Sequence, residues 1–202
     1  MLIRDIALNA CPSTMILNGL NQKLIKELDA IAPGALVSIA GMANLSLGSA
    51  AYPFVGGSTA KARLQAAISA RGQTLVVNSA YRTVAQQFLL FRMFYFGPSS
   101  RCGMDAVAKP GRSNHESGLA LDIQNPLSWK TFLEIQGWKH LGPFDPPHYD
   151  FRGGTDLRKL GVKAFQSHWN KNNPGDKLPE PLDGLFGLET EKRLLKTPVS
   201  GF

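Results

Sequence analysis

Hydrophobic positions recur first at helical spacing. Leu24, Ile25, Leu28 and Ile31 share one face between Asn21 and Ala32, and Pro33-Gly34 ends the run, which predicts a helix over 21–32. A second helix is predicted from Ser58, as N-cap, to Arg71, with Leu64, Ala67 and Ile68 inward and Gly72 as its stop. Thr74–Ser79 is a short apolar run that reads as a buried strand. Ala80-Tyr81-Arg82-Thr83 then turns the chain into an apolar helix from Val84 to Phe96, closed by Gly97-Pro98. Residues 1–20 show no clear period. Residues 35–57, rich in Gly, Ala and Ser, predict irregular packed surface with one short strand.

A loop over 99–112 feeds the stretch Ser113–Asp122. After Gly118 the pattern alternates: Leu119, Leu121 and Ile123 point one way, Ala120 and Asp122 the other. Ser128 is placed to cap a short helix through Gln136, and a turn at Gly142-Pro143 leads to Asp145–Phe151, where His148 and Asp150 share one strand face. Gly153-Gly154 reads as a boundary. Beyond it Val162, Phe165 and Trp169 mark a helix over 162–170, and a last helix runs to about Lys196. Helices precede, separate and follow a few strands without regular alternation. The expected fold class is therefore α+β, a small antiparallel sheet with flanking helices, not a doubly wound parallel sheet. The expected division is a main domain over 1–153 with its core at 74–151, and a small helical segment over 154–202. That segment has too few large apolar anchors to bury a core alone, so it is expected to pack on the main domain.

Composition narrows the class. The 202 residues are 44% hydrophobic and contain no run of about 18 apolar residues, so no membrane span is expected. The net charge of +7 and pI near 9.6 favour a polyanionic partner: nucleic acid, anionic lipid, or a bacterial wall with its carboxylates and phosphates. No RNA-binding motif or zinc-finger spacing is present and the basic residues are spread out, so nucleic acid is not the expected partner. Cys11 and Cys102 are too few for a cysteine-rich zinc site; they pair in an oxidising compartment or stay free. Met1–Leu8 carries Asp5 inside its apolar run and does not read as a secretory leader. Export by another route, a leader outside this numbering, or action on another cell are the alternatives.

Four histidines are present, and taken singly a histidine is more often structural than a ligand. His115 and Asp122, however, stand seven positions apart at a loop–strand junction, and His148 begins the next strand-like stretch. Two imidazoles and a carboxylate with one position open suit a single catalytic zinc ion. Asp145, three residues before His148, is placed to take a proton from water and pass it to a leaving amine. Its plainer reading is a turn residue ahead of Pro146-Pro147.

These residues also carry a family resemblance. Ser113-x-His115-x-x-Gly118-x-Ala120-x-Asp122 resembles the first zinc motif of the D-Ala-D-Ala peptidase family, which includes VanY-type carboxypeptidases, VanX-type dipeptidases and L-alanyl-D-glutamate endopeptidases. Ser79-Ala80-Tyr81-Arg82-Thr83 with Gln86-Gln87 is similar to the family's Ser-x-Tyr-Arg-[Ser/Thr] segment, and Asp145-x-x-His148-Tyr149 to its second motif. VanY- and VanX-type members have Glu where Asp145 stands; the endopeptidase branch has Asp. The 26 residues from Asp122 to His148 are fewer than is usual in the family, which implies a reduced cleft-shaping segment.

The resemblance implies a fold like that of DD-peptidases and Hedgehog domains. It implies one Zn²⁺ on His115, Asp122 and His148, with Asp145 as general base and then acid. Arg82 would hold the substrate carbonyl or stabilise the developing oxyanion, and Ser113, Tyr81 and Gln86 would contact substrate. Val162-Lys163-Ala164-Phe165-Gln166 with Asp183-Gly184-x-Phe186-Gly187-x-x-Thr190 is similar to a peptidoglycan-binding repeat. The implied activity is hydrolysis of peptidoglycan stem peptides, at D-Ala-D-Ala or at L-Ala-D-Glu, in the periplasm or outside the cell. The alternative is a non-catalytic wall-binding protein with a decayed peptidase site. Oligomeric state is not indicated.

Overall fold

Capping and punctuation decide most element bounds. The computed structural model describes residues 1–202. Three 3-10 turns, Ile3–Asp5, Leu8–Ala10 and Thr14–Leu17, lead into α1 (Asn18–Ile31). Three strands follow, β1 (Leu36–Ser38), β2 (Leu45–Leu47) and β3 (Phe54–Gly56), where the sequence suggested one. At three residues each they are too short for an alternating pattern to register. In α2 (Gly57–Arg71) the N-cap is Gly56, so Ser58 lies inside the helix, and Gly72 closes it in the left-handed region. After β4 (Leu75–Ser79) comes α3 (Val84–Phe96), with the bounds expected. Thr83 starts it: its side-chain oxygen accepts from the Gln86 amide at 3.2 Å.

Asn114–Ser117 makes one 3-10 turn before β5 (Ala120–Ile123). In α4 (Pro126–Ile135) Asn125 is the N-cap and Pro126 holds the first turn. Ser128, expected as the cap, instead donates its hydroxyl back to the Asn125 carbonyl at 2.7 Å. β6 (Trp138–His140), β7 (His148–Phe151), α5 (Arg158–Asn172) and α6 (Leu188–Lys196) complete the chain. No helix is long and apolar enough to cross a membrane.

The chain divides into two compact units. One comprises Gly34–Arg82 and Ser117–Leu157. It holds a five-stranded sheet in the order β2-β4-β5-β7-β6 and a two-stranded antiparallel pair, β1-β3. The α+β class is as expected. The larger sheet is antiparallel except between β2 and β4, which run parallel. Leu121, Ile123, Trp138, Tyr149 and Phe151 from the sheet pack with Leu64 and Ile68 of α2 and Trp129 and Leu133 of α4. Leu119 packs against the same core, so the alternation around Asp122 is realised as expected. Gly118 is required where it stands. Its φ is +74°, and a Cβ there would lie 2.9 Å from the Gly56 amide nitrogen. The Gly118 carbonyl accepts from that amide at 2.7 Å, which ties β3 to the entrance of β5.

The other unit comprises Met1–Pro33, Thr83–Glu116 and Arg158–Phe202. Leu17, Leu20 and Leu24, Phe88 and Leu89, Phe165 and Trp169, and Leu194 form its core. The C-terminal segment thus buries its few apolar anchors with α1 and α3. Cys11 and Cys102 are joined by a disulfide, which ties the first turns to the loop after α3. The Gln166 side chain, 3% exposed, organises the Asp183-Gly184 turn. Its Nε2 donates to Asp183 Oδ1 at 2.7 Å, and its Oε1 accepts from the Gly184 amide at 3.0 Å. Gly184 has φ +67°, and a Cβ would lie 2.5 Å from the Lys159 carbonyl oxygen. Gln166, Asp183 and Gly184 of that tail motif therefore each have a structural task.

Candidate metal centre

Strand pairing builds the centre. In the β5–β7 ladder Asp122 stands opposite His148, and Ala120, with the smallest side chain, stands opposite Asp150. On the other side of β5, Ser79 of β4 pairs with Asp122. The motif's period of two therefore sets Asp122 in a row between Ser79 and His148. His115 is supplied seven residues ahead of Asp122 by the Asn114–Ser117 turn. One ligand atom from each of His115, Asp122 and His148 lies within 4.8 Å of the other two. Zinc takes nitrogen and oxygen donors at about 2.0–2.2 Å, which separates tetrahedral donors by roughly 3.3–3.6 Å. The three groups fit such an ion with small side-chain adjustments. Their identity, two imidazoles and one carboxylate, fits it as well.

Both nitrogens of His148 face carboxylates. Nδ1 lies 3.0 Å from Asp122 Oδ1 and Nε2 lies 2.9 Å from Asp150 Oδ1. Burial alone would lower this imidazole. The hydrogen bonds and charges of Asp122 and Asp150 outweigh it and push the value up to about 9. The surroundings of Nδ1 thus call for a positive charge. Asp150 holds the far nitrogen, fixing the ring as a carboxylate does behind a metal-bound histidine.

Arg82 follows β4 and reaches the other oxygen of Asp122. Its Nη2 lies 3.0 Å from Asp122 Oδ2, and its Nε donates to Ser79 Oγ at 3.1 Å. This leaves Oδ1 of Asp122 turned to His148. The sequence anticipated a substrate role for Arg82; the pairing with Asp122 is an additional one that it did not reveal.

Asp145 Oδ2 lies 3.8 Å from His148 Nδ1. Its side chain is 49% exposed, against 17% for Asp122 and 6% for His148, so it is the outermost acid of the group. Burial first, and then the charge of Asp122, raise its carboxyl above the ordinary carboxylate range, against the pull of His148 and Arg82. A carboxylate of raised basicity beside the ligands is suited to hold and return a proton.

Glu116, buried at 2%, is committed elsewhere. Both its oxygens accept from the Gly111 amide at 2.9 Å, and Oε2 also accepts from the Ser113 amide at 3.1 Å. It pins the loop that carries His115. Ser113 is buried and its Oγ accepts from the His115 amide at 3.3 Å. Tyr81 is buried and bridges Tyr52 through the backbone. Gln86, in α3, donates to Thr14 Oγ1 at 3.1 Å. The structure thus brings His115, Asp122, His148, Asp145 and Arg82 together, and gives Ser113, Tyr81 and Gln86 packing contacts. The signal for Asp150 was its position two residues from His148 on one strand face.

Residues 57–142 match the family model of VanY, described as D-alanyl-D-alanine carboxypeptidase. The match spans α2 to the end of β6 and includes Arg82, His115 and Asp122, and it bears out the resemblance to the VanY-type family. No curated protein matches the chain.

Proposed function

Taking residues 57–142 as a VanY-type D-alanyl-D-alanine carboxypeptidase domain, we propose that this chain is a zinc-dependent peptidase of bacterial peptidoglycan stem peptides. The observation that carries the reading is the His115–Asp122–His148 group with Asp145 at its outer edge. His115, Asp122 and His148 would hold one Zn²⁺, which when bound supplies Lewis acidity toward a carbonyl oxygen and toward water.

The remaining work falls to the chain's own side chains. Asp150 keeps the His148 ring oriented through Nε2, and Arg82 holds Asp122 through Oδ2. The half-exposed Asp145 carboxylate takes a proton from the attacking water and delivers it to the nitrogen of the departing amine. Arg82 also positions the peptide, while Ser113 supports the His115 loop from within. The Asp145-x-x-His148 form favours an endopeptidase, whereas the family match favours a carboxypeptidase. Action on wall peptides places the protein in the periplasm or outside the cell, and the Cys11–Cys102 disulfide agrees with an oxidising compartment.

The test is Asp145→Asn. Zinc content measured on purified protein should stay at one per chain, while kcat falls by about 10²–10⁴-fold. Undiminished turnover in this variant would remove Asp145 from the mechanism.

A further inference from the structure

The last turns of α3 carry aromatic rings that the core leaves outside. Tyr95 and Phe96 are 55% and 69% exposed. Tyr95 is nonetheless held in place, its ring centroid 4.5 Å from that of Phe91 and 4.8 Å from that of Phe94. Beside it lies a cavity of about 320 Å³, at the small end of the range for ligand sites. Phe94, Tyr95, Gly97, Pro98, Ser99 and Arg101 line it, and no acidic side chain does.

Arg101 supplies the charge. Its guanidinium carbon lies 4.7 Å from the centroid of the Phe94 ring, and it makes no ion pair with any carboxylate. Its place is imposed by the backbone. Arg101 and Cys102 have φ of +50° and +51°, a region that is costly for residues with a Cβ and is found where a surrounding structure enforces it. Here the Arg101 amide donates to the Pro98 carbonyl at 2.8 Å, and the next residue is bonded to Cys11. The polar groups around the cavity are uncommitted as well. The hydroxyls of Tyr95 and Ser99 bond no protein group. The Phe94 carbonyl lacks its helical donor, because Pro98 stands where that amide would be.

We propose that this cavity binds a sugar unit that carries a negative charge. The C–H face of the pyranose rests on the Tyr95 ring, its hydroxyls meet the Ser99 hydroxyl and the Phe94 carbonyl, and its anionic group pairs with the Arg101 fork. An apolar ligand would leave the guanidinium and the carbonyl without partners, and a cationic one would be repelled. The site lies within one compact unit and includes no residue of the metal group. Only the source of the sugar rests on the peptidoglycan reading. A bacterial wall offers the phosphodiester of a sugar polymer and the lactyl carboxylate of a glycan freed of its stem peptide.

Three probes share one acetamido sugar: N-acetylglucosamine 1-phosphate, N-acetylmuramic acid and neutral N-acetylglucosamine. Each is titrated into the isotope-labelled full chain and followed by nuclear magnetic resonance. The amides of 94–101 and the Tyr95 ring should shift, and at least one charged sugar should bind about tenfold or more tightly than the neutral one. Whichever charged sugar binds more tightly names the source. Arg101→Met should abolish the difference between charged and neutral sugars, and Tyr95→Ala should weaken all three. Lys130→Met, which removes an exposed charge from the other compact unit, should change nothing.

Absence of shifts at 94–101, equal binding of charged and neutral sugars, or an Arg101→Met variant that behaves as its parent does overturns the proposal. So does inorganic phosphate, or a single-stranded oligonucleotide, shifting the same resonances at equal or lower concentration than the sugars do. Stem-peptide cleavage is a separate readout: Arg101→Met should match its parent. Sugar binding by a protein that cleaves no stem peptide would uphold this site and refute the peptidase reading instead.

Discussion

Asp122 and His148 face each other across one strand pair, with Oδ1 and Nδ1 3.0 Å apart, and each is held from behind by a second charged group. Arg82 holds the carboxylate and Asp150 the imidazole. Two potential ligands are thereby presented in fixed orientation. The arrangement makes Asp150 a positioning residue and not a base, because it occupies the ring nitrogen turned away from Asp122. Asp150→Ala should lower zinc affinity by about 10–100-fold while leaving one zinc per chain at saturation, with Asp150→Asn milder. Competition against a chromogenic chelator measures this, and an unchanged affinity would show that Asp150 does not orient the ring.

Glu116 makes a contrasting prediction. Its carboxylate satisfies two backbone amides of the His115 loop. Glu116→Ala leaves both without that acceptor and should cost about 1–3 kcal/mol, a fall of several degrees in Tm. Glu116→Gln retains an acceptor oxygen and should keep most turnover. Loss of turnover in a fully folded, zinc-replete Glu116→Gln protein would mean that Glu116 takes part in proton transfer.

His168 gives the stability a defined pH dependence. It is buried in α5, and burial lowers its imidazole below the usual 6.5, with Lys23 and Lys171 acting in the same direction and Glu27 opposing. Its ring also lies against that of Phe202. A depressed folded value means that the unfolded chain binds the proton more readily. The contribution is complete above about pH 6.5 and is lost as pH falls through the folded value. Glu27, held below its ordinary value, loses its contribution only from about pH 4.5 downward. His148 and Asp145, both raised, act in the opposite sense as pH falls, so the test is differential. Between pH 7 and pH 5 in urea unfolding, the His168→Gln variant should lose less stability than its parent, which carries the same contributions from His148 and Asp145.

The disulfide closes a separation of 91 residues. A loop of that length corresponds to about 4–5 kcal/mol in the chain-entropy relation. Replacing Cys11 and Cys102 together by serine should lower stability by that amount in chemical denaturation and leave zinc affinity unchanged, since neither sulfur belongs to the ligand group. A change in zinc affinity would couple the N-terminal turns to the metal centre.

Much of the site was legible because its elements are local. Thr83 and Gly97 bound α3 by capping and punctuation, and the alternation from Leu119 to Ile123 predicts which face carries Asp122. The ligand types and their order were equally readable. What was not readable depends on pairing at long range. Strands β1, β2, β3 and β6 have three residues each and carry no period, and the parallel β2–β4 pair leaves no local mark. The grouping of 158–202 with 1–33 and 83–116 is set by which apolar faces meet in the folded chain. Asp150 and Glu116 both stood out as acids near histidines, but only their hydrogen bonds distinguish an orienting carboxylate from a catalytic one.

The most direct measurement is mass spectrometry of defined stem peptides incubated with the zinc-loaded protein, with the chelated protein, and with the chelated protein resupplied with zinc. A zinc-dependent peptidase releases either free D-alanine or a fragment with a new L-alanine carboxyl end, loses that product on chelation and regains it with zinc. Intact peptides in the zinc-loaded sample, or equal cleavage by the chelated protein, would contradict it.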